Sequence, residues 1–218
     1  MSNIKDWLDS SAAGQVTSTL VIITVGAWVP PLGVLLWLLW KRQLKKRFRE
    51  FGLVKPEKIA WVVVTGVAVG IGLKLVFKSI IMPLLGAEPS NPVFEYLEGN
   101  VSASLSFALF AMFSAGLGEE ILFRGFLFTR LRHWLGDSLK AKAAIILMAS
   151  LIFGIPHFYQ GFYGAVHAVL VGAVFGVMYY KNKGNLWLLV IAHASYDLFA
   201  ILLIYQGWDE TLGRLFFP

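Results

Sequence analysis

The sequence contains no cysteine. That absence removes disulfides, thiolate nucleophiles, thiolate metal ligands and lipidated cysteines from the chemistry of this chain. Charge is scarce as well: 15% of the 218 residues are Asp, Glu, Lys or Arg, against about a quarter in a soluble domain. No internal repeat, low-complexity tract or H-E-x-x-H run is visible. Apolar residues fill the space instead, at 57% of the chain, with a mean hydropathy of +0.69. A surface this poor in charge is expected to face lipid.

The apolar residues fall into blocks long enough to cross a bilayer, which takes about 20 residues at 1.5 Å each. Six crossings are expected, at roughly 16–40, 59–86, 101–129, 143–160, 163–180 and 185–205. The predicted fold is an all-α, polytopic membrane bundle of about six spans, within a range of six to eight. Pro30-Pro31 removes two consecutive amide donors and should kink the first span. The second carries Lys74 and Lys78, which are expected to snorkel to a headgroup region, and Pro83 near its far end.

The stretch from Lys41 to Lys58 holds Lys41, Arg42, Lys45, Lys46, Arg47, Arg49, Lys55 and Lys58 against Glu50 and Glu57. The positive-inside rule makes it cytoplasmic. Counting spans onward, Arg130, Arg132, Lys140, Lys142, Lys181 and Lys183 return to the same side, and Glu88, Glu95 and Glu98 fall outside. Both termini fall outside too, and residues 1–19 do not read as a signal peptide. The net charge of +6 is then explained by basic loops beside anionic lipid, without nucleic acid as a partner. Membrane lipid is the expected partner and the cell membrane the expected location. The organisation expected is an N-terminal membrane portion (1–99), a chemically richer core (100–205) and a tail (206–218).

Few ionisable residues lie inside the spans. From Val101 to Thr129 only Glu119, Glu120 and Arg124 are charged. His157 and His167 are the only ionisable groups besides tyrosines from Ala143 to Tyr180, and His193 and Asp197 stand alone in the last span. A charge there costs about 2.5–3.5 kcal/mol on insertion scales, so such groups pair, face a polar cavity or perform a function. Glu120 and Arg124 are one helical turn apart and can pair, while Glu119 points about 100° away and remains available for chemistry. His193 and Asp197 have the same spacing, which lets a carboxylate orient an imidazole. Phe153 and His157 share a face, and Gly118, Gly125, Gly154, Gly161 and Gly164 permit close helix approach. Counted from the cytoplasmic ends, however, Glu119 and Glu120 lie shallow, His193 about 12 Å deep and His157 about 21 Å deep. His167 reads as a core or cavity-lining histidine and His133 as an interfacial one. The Trp residues, among them Trp28, Trp37, Trp40, Trp61 and Trp187, read as interfacial belts.

Three runs together resemble a known family. Glu119-Glu120-Ile-Leu-Phe-Arg124, Phe153-Gly-Ile-Pro-His157 and His193-Ala-Ser-Tyr-Asp197 are similar, in order and separation, to the motifs of the CAAX-processing and bacteriocin-processing (CPBP, or Abi) membrane endopeptidases. Gly172-Ala-Val-Phe-Gly176 and Gly184-Asn-Leu-Trp187 add to the likeness, which covers about 100–205. The resemblance implies hydrolysis of a peptide bond near the C-terminus of a membrane-associated or prenylated peptide or protein, without a cofactor or metal. By position, Glu119 with His157 would activate water, Glu120 and Arg124 would set the helix and its electrostatics, and His193 with Asp197 would stabilise the oxyanion. Asp197 stands where the family often has Asn. An ionised Asp only accepts hydrogen bonds, so Asp197 is expected to orient His193.

Three other readings compete. Two Glu and two His suit a zinc peptidase, although no two histidines lie one turn apart on a helix. Buried Glu and His also make the proton relays of transporters, but inverted repeats are lacking. A scaffold that binds a peptide without cutting it would carry much the same groups.

Overall fold

A computed structural model gives the fold of residues 49–216. The expected span 16–40 and the basic residues up to Arg47 lie outside the described residues. Within them every regular element is helical. Four helical runs are long and apolar enough to cross a bilayer: Ile59–Leu84, Val101–Leu135, Leu139–Lys181 and Trp187–Tyr205. The chain is an all-α, polytopic membrane protein.

We call the first run α1 and the second α2. The third divides into α3 (Leu139–Gly154) and α4 (Gly161–Lys181); α5 is Trp187–Tyr205 and the short α6 is Asp209–Gly213. Proline lacks an amide donor, and Pro156 stands just past the end of α3, in a tight 3-10 turn spanning Ile155–Gln160. Gly161 follows at φ +82°, a conformation that disfavours any side chain. The chain therefore turns back, with Gly172 of α4 against Ser150 and Phe153 and Gly176 against Ile146. The expected crossings 143–160 and 163–180 are the two arms of this one hairpin.

α1 lies directly on α5. Gly66 meets Leu188 and Ile191, and Gly70, one turn on, meets Ala192, Ser195 and Tyr196 so closely that a Cβ would overlap the Ala192 carbonyl oxygen. Two small residues four apart let the helix backbones approach, as lipid-embedded helices require when no water drives them together. Phe128, Ile145, Phe175, Leu186, Leu189 and Ala192 form the packed centre between α2, α3, α4 and α5. Val64, Leu105, Leu109, Phe113, Leu147 and Leu151 point outward, as a lipid-facing surface would.

The two ends of the bundle are each tied together. At one, the Leu186 amide donates to Gly52 O (2.9 Å) and Asn185 Nδ2 to Val54 O (2.9 Å). At the other, Asn91 Nδ2 donates to Gln160 O (3.0 Å) and the Gly99 amide to Tyr205 O (3.0 Å). Lys78 joins this second end by binding both the Pro89 carbonyl and Asp209. The exposed Trp61 and Trp134 belong to the first end and Trp208 to the second, as interfacial belts would have it.

Candidate active site

α2 carries the first motif in an unusual winding. From Ala111 to Leu127 its turns widen to i→i+5 hydrogen bonding, and the helix then continues to Leu135 instead of ending near 129. Within that segment the two glutamates part company. Glu120 is fully buried, whereas 17% of the Glu119 side chain remains accessible.

Glu120 is the hub of a closed polar cluster. Its Oε1 accepts from Arg124 Nη1 at 2.8 Å and from His193 Nδ1 at 2.7 Å. Arg124 also donates through Nη2 to the Gly172 carbonyl at 3.1 Å, which ties α2 to α4. Its guanidinium lies over the rings of Phe153 and Phe175, 4.9 and 5.5 Å from their centroids. Removing water from such a pair strengthens its electrostatics and makes each partner costly to lose.

His193 turns its other nitrogen outward. Nε2 lies 3.7 Å from Asp197 Oδ2 and 3.9 Å from Glu119 Oε2. The expectation that Asp197 orients this ring is corrected here. The hydrogen bond that fixes the imidazole runs from Nδ1–H to Glu120, and Asp197 stands beyond hydrogen-bond distance of Nε2.

His157 sits on the 3-10 turn rather than on α3. Its Nδ1 contacts the Phe153 carbonyl at 2.8 Å, and a carbonyl only accepts, so the proton is on Nδ1. With Nδ1 held in this way, Nε2 is the nitrogen that takes or gives a proton when the ring titrates. Phe153 links the two histidines, with its ring centroid 4.8 Å from that of His157 and 6.3 Å from that of His193.

Glu119, His157, His193 and Asp197 all line one cavity of about 640 Å³. Glu120 and Arg124 lie behind its wall. Depths counted from the sequence kept these groups apart, for two reasons. α2 extends to Leu135, which puts Glu119 roughly 20 Å of helix from that end. α5 begins beneath the surface, since Leu186 is buried under the Gly52 segment.

Several residues outside the three motifs also stand on the cavity wall, and of these Tyr159 and Tyr196 were not singled out from the sequence. Lys74 and Lys78, expected to snorkel to a headgroup region, both line the cavity; Lys78 reaches Pro89 and Asp209 at the end of the bundle, and Lys74 Nζ lies 5.3 Å from the Tyr196 ring centroid. Tyr196 shares a hydrogen bond with His167, the histidine expected in the core or on a cavity wall. Tyr159 stacks on His157 at 6.4 Å. Tyr196 lies three residues after His193, a one-turn spacing that marks it as a neighbour. Among the described residues, no group of three or more His, Asp or Glu is disposed to hold a metal ion.

A family model described as Rce1-like, type II CAAX prenyl endopeptidase, matches residues 100–199. Residues 100–199 are Rce1-like. This is the family whose resemblance the three motifs carry, and the matched segment contains Glu119, Glu120, Arg124, His157, His193 and Asp197. No curated protein and no solved structure matches the chain. The Rce1-like match supports a CAAX-type intramembrane protease in general terms, with a peptide as its substrate. α1, including Lys74 and Lys78, lies outside the Rce1-like segment.

Proposed function

We propose that the chain is a glutamate-type membrane endopeptidase that hydrolyses a peptide bond near the C-terminus of a membrane-associated or prenylated peptide or protein. One observation carries this reading: the Glu119 carboxyl group, the His157 imidazole with Nδ1 held by a backbone carbonyl, and the His193 imidazole anchored by Glu120 face one cavity. Water between Glu119 and His157 gives up a proton to Glu119, with His157 holding it in place, as its oxygen bonds to the scissile carbonyl carbon. The carbonyl oxygen becomes an oxyanion. With His193 as imidazolium, Nε2–H donates to it, an interaction worth several kcal/mol in a site shielded from water. The C–N bond then breaks and the nitrogen leaves with the proton first taken from water. General base catalysis of this kind contributes about 10²- to 10⁴-fold.

Glu120 and Arg124 serve as positioning residues in this scheme, because they hold His193 and do not reach the cavity. Asp197 stands beside Nε2 and shapes the charge around it. The cell membrane is the proposed location. The test is Glu119→Ala in a cleavage assay on reconstituted protein, with thermal unfolding as a check on the fold. A folded variant that still hydrolyses peptide at the native rate refutes the assignment. Metal analysis of the purified protein and cleavage in the presence of a chelator separate this mechanism from a zinc-dependent one.

A further inference from the structure

The two ends of the bundle differ sharply in charge. The end tied through Gly52 and Leu186 carries Arg130, Arg132, Lys140, Lys142, Lys181 and Lys183, with Asp137 between Arg132 and Lys142. The end tied through Asn91 and Gln160 carries Glu88, Glu95, Glu98, Asp209 and Glu210, against Arg214 and Lys78, the latter paired with Asp209. Short loops rich in Lys and Arg stay in the cytoplasm during insertion, and acidic residues weigh little in that choice. The basic end is therefore the cytoplasmic one.

The cavity belongs to the other end. Ser90, Asn91, Tyr159, Gly161, Ile204 and Asp209 are among its lining residues, and they come from the three connections that the acidic end brings together. No lining residue comes from 124–152 or 172–192, the stretches that build the basic end. Between the cavity floor and the cytoplasmic side stand the Glu120–Arg124 pair and the packed rings of Phe128 and Phe175, all buried.

We infer that the cavity opens on the extracytoplasmic side of the membrane, so that its substrate is a peptide presented from that side and not a cytoplasmic C-terminus. The substrate half of this inference rests on the proposed hydrolysis; the sidedness does not. A prenylated protein tail held at the cytoplasmic leaflet would have to cross the buried Glu120–Arg124 layer to reach His157. A segment exported across the membrane, or lying on its outer leaflet, meets the open end directly.

The chain has no cysteine, so single cysteines report position without further changes. Ser90→Cys places a thiol at the rim, Ala200→Cys on the cavity wall and Ser138→Cys at the basic end. Each is expressed at the cell surface and treated with a membrane-impermeant maleimide, before and after permeabilisation. The expected result is labelling of Ser90→Cys and Ala200→Cys in intact cells, with Ser138→Cys labelled only after permeabilisation. Labelling of Ser138→Cys in intact cells, or of Ala200→Cys only after permeabilisation, would overturn the inference. The readout needs no activity. Loss of the hydrolase reading through Glu119→Ala and loss of the sidedness through labelling are thus separate results.

Discussion

Glu120→Gln is the substitution whose cost the structure defines best. Glu120 Oε1 serves both Arg124 (2.8 Å) and His193 (2.7 Å), and the two side chains of the ion pair are 0% and 2% exposed. Gln keeps an oxygen acceptor but loses the charge. It also puts an amide NH₂ where Glu120 Oε2 has no hydrogen-bond partner among the described residues. The Arg124 guanidinium is then buried without a counter-ion, and breaking a buried pair in this way costs about 3–5 kcal/mol. Unfolding of purified protein in mixed micelles, followed by helical circular dichroism, reads the loss. Replacing both partners, as Glu120→Leu with Arg124→Met, removes the stranded charge and should recover most of that stability. Activity should stay low in the double variant because His193 Nδ1 has lost its acceptor. The reasoning fails if Glu120→Gln costs less than about 0.5 kcal/mol, the range of an ordinary surface change. It also fails if the double variant is as unstable as the single one.

Asp197→Asn should keep activity within about tenfold of the native chain or raise it, since Glu120 already holds the His193 ring; a loss beyond about a hundredfold in the cleavage assay would make that carboxylate essential. Gly70→Val should cost about 1–3 kcal/mol in the same unfolding measurement, because the added atoms press on the Ala192 carbonyl of α5. Gly72→Ala is its control: nothing lies within 4 Å of a Cβ there, so the change should be neutral or stabilise by about 0.5–1 kcal/mol. Equal effects at Gly70 and Gly72 would contradict the described packing of α1 on α5.

The charged residues in apolar spans were legible in the sequence, because a buried carboxylate or imidazole without a role is too costly to retain. The Glu120–Arg124 pair followed from one-turn spacing. That same rule misled at His193: spacing ranks neighbours on one helix, so Asp197 looked like its holder, while the true acceptor is 73 positions away on α2. Contacts between helices leave no periodicity to read. That Lys74 and Lys78 line the cavity was not legible for a related reason, since hydropathy does not tell a lipid-facing stripe from a wall that lines a cavity. That His157 and Glu119 line one cavity was hidden by helix ends. Pro156 confines His157 to a tight turn, α2 runs on to Leu135, and α5 starts below the surface.

The most direct test of the account is a kinetic double-mutant cycle on Glu119→Gln and His157→Ala with reconstituted protein. If both groups act on one water molecule, each single change costs about 10²- to 10⁴-fold in kcat, and the double variant is no slower than the slower single. Losses that multiply in the double variant would show that the two groups act independently, and would contradict a shared catalytic site.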